Sequence, residues 1–384
     1  MNGYDGNVTA PVSSAATGEG QSQTQKSITS ITDNQPKSND DFEMEQRLLH
    51  FKRMSSPDYL HTVSLTELYD TAYTPKTQVI DGLLCSGAYL FTGAPKVGKS
   101  FFMAQLGYHV SNGIPLWEYP VHSWSVLYLA LEDVHVRLQK RLSRMFGTDS
   151  TDDLHFATRS KNLGGGLDGQ LERFMREHTD TKLVIIDTLQ KIREVGGEKS
   201  SYASDYEAVT QIKRFADRHN ICVLLVHHTR KQGAEDCFET ISGTNGLLGA
   251  ADGAFIMHKE KRTDNKAVLD VVGRDQQDQR LLLEFDRERC LWQLTGAETE
   301  LWVNPPDPLL EAVAGLLTPE APEWSGSASE LVPLLSGFDI QPNVLTRRLN
   351  VGADRLWNEH GIRVDTIRTH AGRTVKLSLD GSRA

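Results

Sequence analysis

The apolar residues of this chain are distributed unevenly. Residues 1 to about 40 are rich in Ser, Thr, Gly, Asn and Gln, with almost no large apolar side chains. Such a stretch cannot bury enough surface to offset its ordering entropy, so it reads as a disordered tail over 1–41. A mixed apolar and charged stretch at 42–54 predicts a helix, and Ser64-Leu65-Thr66-Glu67 predicts a capped turn entering the main domain. From about 80 onward, short apolar runs alternate with longer helical patterns, which predicts βαβ units and a mostly parallel sheet. Strands are expected at 87–91, 125–131, 183–187, 222–227, 253–258, 267–272 and 281–286, and helices at 100–111, 133–146, 166–177, 202–219 and 244–251. The last three strands follow one another closely and predict an antiparallel extension on one edge.

Beyond Trp302, Asn304-Pro305-Pro306-Asp307-Pro308 breaks the pattern and reads as a linker. The expected organisation is a tail (1–41), a helical lead-in (42–79), an α/β domain (80–303), the linker (304–308) and a small C-terminal domain (309–384). In that last domain a helix at 309–317, an amphipathic helix at about 344–359 and an alternating pair at 362–367 and 374–379 suggest a winged-helix arrangement.

Composition narrows the picture. Net charge is −10 over 384 residues, so any nucleic-acid surface has to be local. Residues 340–376 carry seven basic and three acidic side chains, a local +4 in an acidic chain. Arg347, Arg348 and Arg355 fall on the expected recognition helix, with Arg368 and Arg373 in the wing. They are candidate DNA contacts, a partner-protein surface being the alternative. Cys85, Cys222, Cys237 and Cys290 form no C-x-x-C pair and read as reduced thiols. No apolar run approaches the roughly 18 residues of a membrane helix, and no signal-peptide pattern opens the chain. A cytoplasmic protein without membrane partners is expected.

The chemistry concentrates in four strand ends. Gly93-Ala94-Pro95-Lys96-Val97-Gly98-Lys99-Ser100, followed by Phe101, is a complete G-x-x-x-x-G-K-[ST] loop between an expected strand and an expected helix. Its amide groups and the helix N-terminus suit a nucleoside triphosphate; Lys99 is expected at the β/γ-phosphates and the Ser100 hydroxyl on Mg²⁺. Leu183-Val184-Ile185-Ile186-Asp187 ends in a carboxylate at the crevice edge, where Asp187 would join Ser100 at the metal; a helix cap is its alternative role. Tyr128-Leu129-Ala130-Leu131-Glu132-Asp133 also ends in acid. Glu132 is placed to polarise a water for attack on the γ-phosphate, and Asp133 to cap the next helix. Val226-His227-His228-Thr229-Arg230-Lys231 closes a third strand; His228 is the candidate γ-phosphate sensor, or a structural histidine.

This ordered set, with Ser242-Gly243-Thr244-Asn245-Gly246 after it, resembles the RecA-like ATPases over about 80–295, and most of all the plasmid RepA-type hexameric helicases. DnaB-type helicases are a more distant likeness, because they carry Gln where this chain has His228. The resemblance implies an ATP- and Mg²⁺-dependent ring-forming motor on single-stranded DNA, with a primase or initiator as possible partner. It implies Glu132 as catalytic glutamate, His228 as sensor, and Arg274 as an arginine finger offered to a neighbouring subunit, with Arg280 as second choice. It also implies channel loops at 193–204 and 230–243, with Arg230 and Lys231 on the DNA backbone. A recombination or regulatory ATPase without unwinding, or an ATP-gated DNA-binding regulator, are the alternatives.

Overall fold

Strand β3 (Gly87–Gly93) is buried along its whole length. That is why it is almost continuously apolar instead of alternating: in a parallel sheet covered on both faces, every position meets a core. A computed structural model describes residues 44, 48–49, 51–193, 201–228, 245–261, 263–298, 305–369 and 372–380. Among the described residues a short hairpin, β1 (Gln78–Ile80) and β2 (Leu84–Cys85), precedes β3. Then come β4 (Ser125–Ala130), β5 (Leu154–Ala157), β6 (Thr181–Asp187), β7 (Cys222–His228), β8 (Gly253–His258), β9 (Lys266–Gly273), β10 (Gln279–Asp286) and β11 (Leu291–Ala297).

From β3 to β11 they form one nine-stranded sheet in the order β11-β10-β9-β8-β3-β7-β6-β4-β5. The α/β fold, with a large and mostly parallel sheet, is the expected P-loop type. One boundary moves: β8 pairs parallel with β3, and the antiparallel extension is β9–β11. Two of these strands were absent from the sequence expectation. β5 is four residues long and only half-buried, too short to show a period. β11 mixes polar and apolar positions without a clean alternation.

Alternate residues feed two cores. Tyr89 and Phe91 join Phe102, Tyr128, Phe255 and Trp292 on one face. Ala88 and Leu90 join Leu129, Ile186 and Leu225 on the other. Helix α1 (Leu65–Asp70) precedes the sheet and lies against the C-terminal segment; α2 (Lys99–Asn112), α3 (His135–Phe146), α4 (Asp168–Glu177), α5 (Leu189–Ile192), α6 (Ser201–His219) and α7 (Asn245–Ala250) accompany the sheet. In α6, Val209, Ile212, Phe215 and Ala216 recur at helical spacing and are buried. Truncating Ile212 to Ala there would cost about 2–5 kcal/mol. Asp133 is not the cap of α3. The helix starts two residues later, and the Asp133 carboxylate pairs with Arg141 at 2.8 Å and Arg137 at 3.3 Å.

The C-terminal segment runs α8 (Pro308–Ala314), β12 (Glu323–Ser327), α9 (Ala328–Leu331), α10 (Pro342–Val351), α11 (Ala353–His360), β13 (Ile362–Thr369) and β14 (Gly372–Leu379). Its sheet order is β12-β14-β13, around a separate core of Leu309, Val313, Leu345, Leu349, Leu356 and Val375. The single helix expected at 344–359 is two helices. They part at Gly352, where a Cβ would lie 2.9 Å from the Leu310 side chain. The described residues from Leu65 onward form one compact unit. Before it, residues 51–54 are helical, inside the stretch read as helix.

Candidate nucleotide site

The carboxyl ends of β3, β4, β6 and β7 lie side by side, because these strands are parallel neighbours in register. Register thereby gathers residues far apart in sequence: Gly93 is opposite His228, and Ala130 is opposite Asp187. The loop between β3 and α2 rises from this edge. Two glycines are sterically required. A Cβ on Gly93 would collide with the Met257 carbonyl oxygen. Gly98 has φ 114°, and a Cβ there would sit 2.8 Å from the Trp292 ring. Trp292 also donates its indole N–H to the Gly98 carbonyl at 3.3 Å, so β11 buttresses the loop from behind. Ala94, Pro95 and Lys96 are exposed at the rim, while Val97 is buried and Phe101 half-buried.

Lys99 is 4% exposed. Its ammonium donates to the carbonyls of Gly93 (2.7 Å) and Ala94 (3.1 Å) and to His228 Nδ1 (3.0 Å). Among the described residues no carboxylate lies within ion-pair distance of it. Burial pushes Lys99 down to about 8, against the pull of Asp187 and Glu132. An ammonium has only hydrogens to offer, so Nδ1 of His228 accepts and the ring proton sits on Nε2. That nitrogen faces Glu132 Oε2 at 3.8 Å. Burial, then the Lys99 charge, holds the imidazole below its usual range.

Ser100 donates its hydroxyl to Asp187 Oδ2 at 2.8 Å, and the buried Tyr128 hydroxyl donates to the same oxygen at 3.1 Å. Burial raises the Asp187 carboxyl, and the two hydrogen bonds oppose it. Glu132 Oε1 accepts from Thr188 Oγ1 at 3.3 Å. A hydroxyl and a carboxylate in mutual contact are hard oxygen donors, the set Mg²⁺ prefers. A buried ammonium beside open amides suits a polyphosphate.

Tyr128, Thr188 and Trp292 were not read from the sequence as site residues. Tyr128 sits inside the apolar run of β4 and looks like core, and only the folded contact between its hydroxyl and Asp187 Oδ2 marks it as a site residue. Arg274 lies elsewhere. It follows Gly273, which pairs with Gly253 at the start of β8, the end of the sheet away from Gly93. Its guanidinium donates to the Gly249 carbonyl at 2.7 Å. Arg280 faces Asp270 (3.6 Å) and Glu298 (3.5 Å). Arg230, Lys231 and most of both expected channel loops fall outside the described residues. Arg347, Arg348, Arg355 and Arg373 are apart from this site, each facing a carboxylate: Arg347 and Arg373 share Asp70, Arg348 meets Asp307, and Arg355 meets Glu359; the Arg368 side chain falls outside the described residues.

Fold and site together define a P-loop nucleotide-binding α/β protein. Residues 56–234, a little under half the chain, match the family model described as an AAA domain, so the chain carries a domain of the ATPase type. No protein of curated function matches it. Among solved structures, it is similar to a DnaB-like replicative helicase studied for its interactions with primase (14% identity, 65% of this chain and 71% of that one, TM-score 0.48). A KaiC-like protein from the hyperthermophilic archaeon Pyrococcus horikoshii is also similar (13% identity, 57% and 94%, TM-score 0.43). Among the described residues no helix is long and apolar enough to cross a membrane.

Proposed function

We propose that this chain is a RecA-like motor that hydrolyses ATP, and that it works as a hexameric-ring, RepA-type DNA helicase of plasmid, phage or mobile-element replication. The observation that carries the ATPase reading is the contact between Ser100 and Asp187, 2.8 Å apart beside the buried Lys99. In this reading the 93–101 loop holds the phosphates, with Lys99 on the β/γ-oxygens. Ser100 and Asp187 hold Mg²⁺, which when bound neutralises phosphate charge. Glu132, steadied by Thr188, orients and deprotonates the attacking water. His228 stands between Lys99 and Glu132 and responds to the γ-phosphate. Arg274 serves the ATP of an adjoining subunit, a role supported by its place at the end of the sheet away from its own loop.

The helicase reading adds single-stranded DNA in a central channel, contacted by Arg230 and Lys231. It also adds a cytoplasmic setting, a primase or initiator partner, and a C-terminal winged helix. The β12-β14-β13 sheet with α8, α9 and α10–α11 supports that last assignment. The experiment measures Mg²⁺-ATP hydrolysis with and without single-stranded DNA, strand displacement, and oligomeric state in the presence of ATP. DNA-stimulated hydrolysis with displacement by a ring supports the helicase. Stimulated hydrolysis without displacement replaces it with a non-unwinding ATPase; duplex binding without turnover replaces it with an ATP-gated regulator.

A further inference from the structure

Arg347 and Arg373 come from different elements, α10 and β14, and converge on one carboxylate. Arg347 Nε lies 3.1 Å from Asp70 Oδ1, and Arg373 Nη2 lies 3.2 Å from Asp70 Oδ2. Asn350 donates to the neighbouring Tyr69 carbonyl at 3.0 Å and is itself held by Thr366 at 2.9 Å. Two guanidinium groups against one carboxylate leave a positive excess. Arg348, Arg355, Arg363 and Lys376 are paired singly with Asp307, Glu359, Asp365 and Glu323. Among the described side chains of this segment, Arg347 and Arg373 are thus the two basic groups that share a single carboxylate.

The group that covers them is lightly held. Asp70 ends α1, a six-residue helix that buries none of its side chains; Leu65, Leu68 and Tyr69 stay exposed. The contact is made by partly exposed ion pairs and a hydrogen bond, which contribute little individually and are weakened further by salt. Guanidinium forks accept a carboxylate or a phosphate with the same geometry. A polyanion that offers more than one phosphate can therefore take the place of Asp70, at the cost of moving α1. The cover is tethered to the motor through residues 71–77, where Thr77 N donates to Ser86 and Asn220.

We propose that Arg347 and Arg373 form a site for the phosphodiester backbone of duplex DNA, and that Asp70 occupies it in the resting chain as an intramolecular stand-in for phosphate. This rests on reading the C-terminal segment as a DNA-binding winged helix. The arginines hold the Asp70 carboxyl below the usual range, Arg373 most strongly, so the cover is charged at neutral pH and competes as an anion.

The test is fluorescence anisotropy of the full chain on a labelled duplex of about 30 base pairs at low salt, without nucleotide. Asp70→Asn should tighten binding about three- to tenfold. Adding Arg347→Ala and Arg373→Ala to Asp70→Asn should remove that gain and flatten the log–log salt slope by about 2. If thermal melting shows the alanine pair unfolded, Arg347→Gln with Arg373→Gln replaces it. Unchanged affinity of Asp70→Asn relative to wild type overturns the masking. Full duplex affinity after loss of both arginines overturns the site. If no variant binds duplex while ATP hydrolysis persists, the DNA-binding reading of the C-terminal segment falls and the nucleotide site stands.

Discussion

The nucleotide site and the C-terminal arginine surface both display cations, but they balance charge in opposite ways. At the loop, Lys99 is buried against two backbone carbonyls and an imidazole. Its charge is only partly compensated, and burial lowers it to about 8. At the C-terminal surface the arginines are more exposed and each has a carboxylate from its own chain. A cation without a counter-charge is held ready for an anionic ligand; a paired one has first to be released. The same residue class thus says little until its partners are known.

Lys99→Ala should break the first side of this contrast most severely. Hydrolysis of Mg²⁺-ATP should fall on the order of 10³-fold or more, measured by phosphate release, while the melting temperature holds, since a buried unpaired cation has been removed. Glu132→Gln should cost about 10²- to 10³-fold in kcat and leave nucleotide binding intact by equilibrium dialysis. Mixed with Arg274→Ala, it should regain activity at interfaces that pair intact Glu132 with intact Arg274; no regain with assembly preserved would remove Arg274 from the site.

A pH titration sharpens the point about compensation. In the free protein Lys99 loses its proton as pH rises through about 8, while phosphates favour the charged form. ADP should therefore bind about tenfold more weakly at pH 9 than at pH 7, with proton uptake visible by calorimetry in buffers of different ionisation enthalpy. Tyr128→Phe should raise the Mg²⁺ concentration for half-maximal hydrolysis several-fold, about three- to tenfold, with a smaller change in kcat at saturating Mg²⁺. Smallest of all, Arg348→Ala should cost less than about 1 kcal/mol in urea unfolding, because its pair with Asp307 is partly exposed.

Much of this molecule is legible before any coordinates. The loop, its strand and its helix announce themselves because phosphate binding needs a particular run of residue types in immediate succession. Asp187, Glu132 and His228 are legible as polar residues ending apolar runs, since a parallel sheet presents those ends together. Tyr128 and Trp292 are not, because an aromatic in an apolar run is indistinguishable from core until its polar atom is seen to meet a partner. β5 and β11 were missed for want of a period, and the break at Gly352 because helical spacing continues across it.

Sequence by itself determined the local chemistry: most of the strands and helices of the α/β domain, where the phosphate loop lies, and that basic charge collects after residue 340. These follow from short-range sterics, hydrophobic period and composition. Tertiary structure alone decided which charges are matched. Asp70 is 277 positions from Arg347 and 303 from Arg373, and electrostatic compensation depends on distance in space, which no spacing along the chain encodes.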